Sequence, residues 1–346
     1  MSLNADITKA LLNWYDHNAR ILPWREEPTP YRVWISEIML QQTRVEAVKP
    51  YYDRFMHALP TVKDLAEVED DKLMKLWEGL GYYNRARNLK IAANQVMDEF
   101  HGEIPGDYEK LLSLKGIGEY TAGAVGSIAF GLPVAAVDGN VLRVITRITG
   151  DDRDILKQAT KKAITKDLLE IIPEDRAGDF NQALMELGAM ICIPNGKPHC
   201  EYCPWDTICK AYKEDLTDKI PVKMPKKKRR IEEKTIFLLE YQDKIAIRKR
   251  SSKGLLAGLW EFPNEEGIYG PEEMEEQLSK WQVEHYKLDT TPKAKHIFSH
   301  VEWHMTGFYI ICEEMPEEEN LIWISRKEME EEYAIPSAFE AFKARL

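Results

Sequence analysis

At 346 residues the chain is long enough for two or three domains, and its 44% hydrophobic content is sufficient to fill a core. No apolar run approaches the ~20 residues of a membrane helix, and Met1 to Lys9 shows no basic stretch ahead of an apolar core, so a cytoplasmic, nucleoid-associated location is expected. The net charge of −11 excludes a broadly basic nucleic-acid-binding domain: residues 1–221 carry 27 Lys and Arg against 34 Asp and Glu (−7), residues 222–346 carry 20 against 24 (−4), and any DNA contact must be local.

Residues 1–215 read as helical. Ile7, Ala10, Leu11, Trp14 and Tyr15 recur at helical spacing, and Val33, Ile38, Gln41 and Val45 more loosely. Turns rich in Pro, Gly and Asn interrupt the pattern at LPWREEPTP (22–30), GLGYYN (79–84) and SLKGIG (113–118). A Pro- and Lys-rich stretch at 216–234 reads as a linker, and the basic cluster Lys223 to Arg230 within it as a solvated part of that linker. Strand signals follow at 235–241, 245–250, 296–305 and 307–312, with helices expected at 272–281 and 326–332. The fold class predicted is α+β, an all-α part followed by a smaller α+β module.

Three features carry chemistry. In YEKLLSLKGIGEYTAGAVGSIAF (108–130), Gly116 and Gly118 permit a tight turn before a helix whose free N–H groups favour an anion. A DNA phosphate fits there without any reading of sequence, although an ordinary helical hairpin has the same pattern. Glu37 interrupts the apolar helix VWISEIML (33–40), and a carboxyl pressed into such a surface tends to keep its proton. Asp138 ends the apolar run of VAAVDGNVLRV (134–144) just where a helix begins, a position that favours the anion and that any N-cap would share. One carboxylic acid and one carboxylate suit glycosidic bond cleavage, the first protonating the leaving group and the second stabilising a cationic sugar.

Four of the five cysteines, Cys192, Cys200, Cys203 and Cys209, crowd into 18 residues as C-x7-C-x2-C-x5-C. Their spacing suits a [4Fe-4S] cluster or, alternatively, one zinc ion, rather than disulfides. Cys312 reads as a small buried hydrophobe.

On the GIGEYTA hairpin, Asp138 in VDGNV and the four cysteines, the helical part resembles the endonuclease III superfamily; SEIMLQQTRVE (36–46) and GLGYYNRARNL (79–89) resemble its MutY adenine DNA glycosylases. The resemblance implies a helix-hairpin-helix DNA glycosylase part with an iron–sulfur subdomain. Its expected organisation is an N-terminal helix (1–22) packing with the cluster subdomain, a helical domain (23–131), the cluster subdomain (132–215), the linker (216–234) and a Nudix-like base-recognition domain (235–346). It implies that Glu37 protonates adenine and later activates water. Asp138 would stabilise the oxocarbenium ion or capture it in a transient adduct, supported by Tyr120 and Asn140. Trp24 and Arg25 would shape the adenine pocket, Gln42 and Tyr82 would probe or wedge the base stack, and Lys115, Gly116 and Gly118 would meet DNA. Lyase members carry a lysine where this chain has Tyr120, which implies a monofunctional enzyme.

Three departures stand out: the first cysteine gap is seven residues where six is usual, Lys115 replaces a proline, and Gln182 stands where some relatives carry Glu. GLLAGLWEFPNEEG (254–267) looks like the start of a Nudix-type fold, but PEEMEEQLSKW (271–281) lacks the Arg and glutamate spacing of a working hydrolase. The resemblance therefore implies a base-reading module in which Phe298, Ser299 and His300 contact 8-oxoguanine. His296, His300 and His304 read as residues of one strand, four apart and so ~13 Å from each to the next, too far to share a metal. The expected partner is double-stranded DNA with adenine opposite 8-oxoguanine or guanine, bound by a monomer. Other readings are a glycosylase of the superfamily directed at another lesion, a non-catalytic DNA-binding protein and a Nudix hydrolase.

Overall fold

The computed structural model describes residues 4–225, 228–290, 292–316 and 318–346. Lys226 and Lys227 of the basic cluster lie outside them. No helix among the described residues is long and apolar enough to cross a membrane. The chain forms two compact units, Met1–Glu67 with Arg87–Pro225 and Val68–Ala86 with Lys226–Leu346.

The regular structure of the first unit is all helical. One core joins the N-terminal helix Ala5–Asn18 to helices Gly139–Thr149 and Ala177–Met190, through Ile7, Leu11, Val141, Val144, Ile148, Phe180, Leu184 and Leu187. Each such side chain, fully buried, contributes roughly 1.5–3 kcal/mol. Trp205 enters the same core and its indole N–H donates to the Ile7 carbonyl at 3.0 Å. The expected turn at 22–30 contains a short helix of its own, Pro23–Glu26, because Pro23 is pre-set for a first helical position. The loose periodicity across 33–45 resolves into two helices, Pro30–Leu40 and Val45–Ala58.

Helix Glu119–Phe130 packs against Pro30–Leu40 and Ala177–Met190. Its small residues allow close approach: a Cβ on Gly123 would fall 2.3 Å from the Ala135 carbonyl oxygen. The extended stretch 132–138 that it approaches is held by buried Asn181, which accepts from the Ala136 amide and donates to the Val134 carbonyl and Ser127 hydroxyl. All its hydrogen-bonding groups are thus engaged, as burial demands. The segment expected as a linker is tied down in its first part, since Arg147 donates to the carbonyls of Thr217 and Ile220.

The second unit is built on a mixed sheet of β1 (Arg230–Tyr241), β2 (Lys244–Lys249), β3 (Trp260–Glu261), β4 (Asn264–Glu266), β5 (Tyr286–Thr290), β6 (Ala294–Ile297), β7 (Val301–Cys312) and β8 (Ile322–Ser325). The main order is β3-β2-β1-β7-β5, with β1 and β7 parallel along twelve residues each. Strand β1 thus begins at Arg230, inside the expected linker. Its TIFLL run is continuous rather than alternating because both faces are covered. Helix Pro271–Lys280 puts Met274 and Leu278 on Phe237 and Leu239, while the C-terminal helices put Met329, Phe339 and Phe342 on Ile236, Leu238, Ile245 and Ile247. Cys312 is buried in the first of these cores, as expected of a small hydrophobe.

One expectation is corrected here. HIFSHVEWHM is not one strand: it is the hairpin β6–β7, with Phe298, Ser299 and His300 in its turn. A Phe298 amide bond to the Val301 carbonyl closes the turn. His296 and His304 therefore stand on neighbouring strands, and among the described residues no group of three or more His, Cys, Asp or Glu closes around a single metal ion.

Candidate active site and cysteine cavity

A cleft of about 150 Å³ in the first unit is lined by Glu37, Tyr120, Asp138 and Asn140 with Trp24, Arg25, Arg20, Gln182, Met185 and Glu186. It is smaller than the ~300–1,000 Å³ of sites for drug-sized ligands, and so matches one aromatic base better than a whole nucleotide.

Glu37 sits on helix Pro30–Leu40 and is 6% exposed. The Tyr120 hydroxyl donates to it at 2.5 Å. Burial pushes the Glu37 carboxyl up to about 7; the Tyr120 bond pulls down against this, the Asp138 charge adds to it and the Arg25 charge opposes it. Burial also raises the Tyr120 phenol well above its usual range, with the Glu37 and Asp138 charges adding to the effect. Tyr120 is therefore a neutral donor.

Asp138 caps helix Gly139–Thr149. Its Oδ1 accepts from the Asn140 and Val141 amides at 2.8 Å each, and its Oδ2 from the Asn140 side chain at 2.7 Å. The helix start was expected to favour the anion, and these donors do. Burial nevertheless outweighs them and the nearby Arg143 charge, so the Asp138 carboxyl titrates above its ordinary value. Asn140 is oriented in turn by Arg143, which donates to its side-chain oxygen at 2.9 Å and to the backbone carbonyls of Gly188 and Cys192.

Three residues escaped the sequence reading. Glu186 is buried, accepting from Arg20 at 2.7 and 2.8 Å and from Arg25 at 3.0 Å. Burial raises its carboxyl, but the two arginines outweigh this and hold it below the ordinary range. An acid inside the apolar stretch ALMELGAM, four residues after Gln182, was the available signal. Nothing in the sequence linked it to Arg20. Arg143 looked like an ordinary helix residue and is buried at 5% exposure because three backbone and side-chain acceptors receive it.

Other candidates lie outside the cleft lining. Gln42 is exposed, in a left-handed backbone conformation (φ 61°) just past the end of the Glu37 helix. Tyr82, in the second unit, is 47% exposed and also left-handed (φ 48°). In the hairpin, Gly116 needs to be glycine: φ is 81° and a Cβ would meet Asn88 at 2.7 Å. Gly118 does not share that need. Its backbone is extended and the space for a Cβ is open, so only its place at the start of helix Glu119–Phe130 marks it. The Lys115 side chain is exposed, while its amide donates to Gln95 at 2.7 Å. At the β6–β7 turn, Phe298 packs on Trp303 with ring centres 4.9 Å apart, leaving Ser299 and His300 exposed with Ser299 Oγ and His300 Nδ1 at 3.1 Å.

Cys192, Cys200, Cys203 and Cys209 line one small cavity of about 20 Å³ together with Arg147. Burial pushes the Cys203 thiol up to about 12 and raises Cys200 and Cys209. Arg147 donates to Cys192 Sγ at 3.3 Å, and backbone N–H groups of Trp205, Ala211 and Tyr212 point at Cys203 and Cys209. Soft sulfur donors beside a fixed cation and amide dipoles fit an iron–sulfur cluster. The seven-residue first gap is closed by a bond from the His199 amide to the Ile191 carbonyl at 3.0 Å, so its extra residue is taken up in an exposed loop.

Comparison with known proteins gives two family matches: the HhH-GPD superfamily base excision DNA repair proteins over residues 35–174 and a NUDIX domain over residues 235–345. The adenine DNA glycosylase of Schizosaccharomyces pombe is 36% identical across 93% of this chain and 85% of its own length. Among solved structures, a thermostable thymine-DNA glycosylase is 31% identical and covers 60% of this chain and 96% of its own, with a TM-score of 0.55. An endonuclease III in a trapped covalent complex with DNA is 26% identical over 62% of this chain and all of its own, with a TM-score of 0.53.

Proposed function

The chain belongs to the adenine DNA glycosylases of the HhH-GPD superfamily, and from that premise we propose that it removes adenine from double-stranded DNA in base excision repair, acting on adenine opposite 8-oxoguanine or guanine. The observation that carries the reading is the pairing, in one base-sized cleft, of a carboxyl with a pKa of about 7 and a second carboxyl held by three hydrogen bonds.

An adenine turned out of the duplex occupies the cleft beside Trp24, with Arg25 and Arg20 held by Glu186. Glu37, protonated, gives its proton to a ring nitrogen of the adenine. The bond from that base to the sugar breaks with its electron pair going to the base, and the sugar is left as an oxocarbenium ion. Asp138, as the anion, stabilises or briefly captures that ion, and the approach of the cation favours its ionised form. Water then adds to the sugar and passes a proton to the Glu37 carboxylate, which restores the acid. Tyr120 orients Glu37, and Asn140 orients Asp138. No amine stands at position 120, which supports monofunctional chemistry that ends at an abasic site.

Gln42 and Tyr82 prop the opened base stack, and the turn of Lys115, Gly116 and Gly118 receives a backbone phosphate. Phe298, Ser299 and His300 read the 8-oxoguanine, with exposed polar tips on a rigid aromatic base. A [4Fe-4S] cluster on Cys192, Cys200, Cys203 and Cys209 would cross-link the end of the helical unit, with Arg147 offsetting its charge.

The test uses labelled duplexes with adenine opposite 8-oxoguanine, guanine or thymine. Abasic sites that break only after alkali, formed fastest opposite 8-oxoguanine, are expected. Strand breaks without alkali would refute the monofunctional reading, and no adenine release from any duplex by iron-loaded protein would move the substrate to another lesion.

A further inference from the structure

The segment Val68–Ala86 lies far from the C-terminal module in sequence but in the same compact unit. It carries helix Asp70–Trp77 and then the turn that displays Tyr82. That turn is rigid. Gly79, Gly81 and Tyr82 all have positive φ, Trp77 donates to the Gly81 carbonyl at 3.1 Å, and buried Arg85 donates to the carbonyls of Leu80 and Gly81. The Arg85 guanidinium also stacks over the rings of Trp77 and Tyr82.

The other side of the helix is bolted to the module. Lys75 Nζ donates to the carbonyls of Met329 at 3.2 Å and Tyr333 at 3.1 Å, and pairs with Glu78 at 2.7 Å. Glu78 in turn accepts the Ile335 amide at 3.0 Å. Lys75 and Glu78 are only 18% and 21% exposed at the side chain, so these bonds are shielded from solvent and stronger than those of a surface pair. Asp71 adds an ion pair with Lys249 at 2.8 Å. The segment 329–333 that accepts from Lys75 is packed on the same core that supports Phe298: Tyr333 meets Trp260, and Phe298 meets Trp303, within one hydrophobic cluster.

We propose that Lys75 and Glu78 are positioning residues that set specificity, fixing the Tyr82 turn to the module that carries Phe298, Ser299 and His300. The base-stack prop and the reader of the opposite base then move as one body. Tyr82 is inserted in register only where the module has engaged its base. This rests on the base-reading role assigned above to the β6–β7 turn.

The test uses the full-length protein with Lys75→Met and, as a milder disruption, Asp71→Asn. Two quantities are measured: single-turnover excision of adenine opposite 8-oxoguanine and opposite guanine, and hydrogen exchange of the amides of residues 79–83. The Lys75→Met protein is expected to lose at least fivefold in the ratio of the two rates, mainly through the 8-oxoguanine substrate, with exchange in the turn at least tenfold faster. Asp71→Asn is expected to shift both in the same direction by less, and Lys75→Arg, which keeps the donors, to restore the ratio. Equal loss on both substrates, or a ratio unchanged while exchange accelerates, would overturn the coupling. Exchange unchanged in both variants would overturn the clamp itself. A parent protein with no preference for 8-oxoguanine would instead refute the base-reading role, and the exchange measurement would still decide the clamp.

Discussion

Glu37 shows how one residue can be useful chemically and costly structurally. Its folded pKa of about 7 lies above the ordinary 4.5 because burial disfavours the charge. A raised carboxyl pKa contributes stability that is complete below the unfolded value and is lost as pH rises through the folded value. At pH 8 the ionised group destabilises the fold by on the order of 3 kcal/mol. Glu37→Gln is therefore expected to denature at higher temperature than the parent at pH 8, with the difference vanishing near pH 4.5, while losing excision and keeping duplex binding. In the parent, single-turnover excision should fall as pH rises past about 7, since the protonated acid is the active form. A flat profile from pH 6 to 8.5 would remove Glu37 from the role of acid.

At the scale of elements, helix Ala177–Met190 brings several jobs to one face of the helical unit. Asn181 holds the extended stretch leading to Asp138, Glu186 holds the two arginines, and Gly188 lets Asn140 approach. A Cβ at Gly188 would lie 2.6 Å from the Asn140 Cβ, both on rigid helices. Gly188→Ala should thus push Asn140 off Asp138, and a drop of tenfold or more in the single-turnover rate is expected with duplex affinity within threefold. A rate unchanged would show that the helices can part without loss. Of this helix, the sequence offered one signal, an acid inside the apolar stretch ALMELGAM, and nothing in it pointed to the partners of Glu186 or Gly188. Their partners come from residues 20–25 and 140, and only packing brings them near. The hairpin at 294–312 failed for a different reason: strand signals were read at 296–305 and 307–312, but the turn at 298–300 lacks the glycine or asparagine that normally marks one, and β7 runs on unbroken through Thr306.

At the scale of the whole molecule, the cysteine cavity makes its own prediction. Its residues belong to the first unit, where Trp205 and the Cys192 carbonyl connect it to the N-terminal helix and to Arg143. Removing iron from purified protein should lower the melting of that unit and leave the Nudix-like unit's transition in place. Calorimetry showing both transitions unmoved, or stoichiometric zinc in a colourless protein, would count against the cluster. What the sequence determined by itself was whatever is written locally: helical and strand periods, the capping Asp138, the tight Gly116 turn, the spaced cysteines and long family motifs. The tertiary structure alone decided what depends on distant residues meeting. Burial, not the helix start, sets the titration of Asp138; Glu186 compensates two arginines about 160 positions away in the chain; and Val68–Ala86 joins the C-terminal unit. Desolvation and hydrogen-bond partnership are properties of a packed neighbourhood, and no local pattern of residue types encodes which neighbours will arrive.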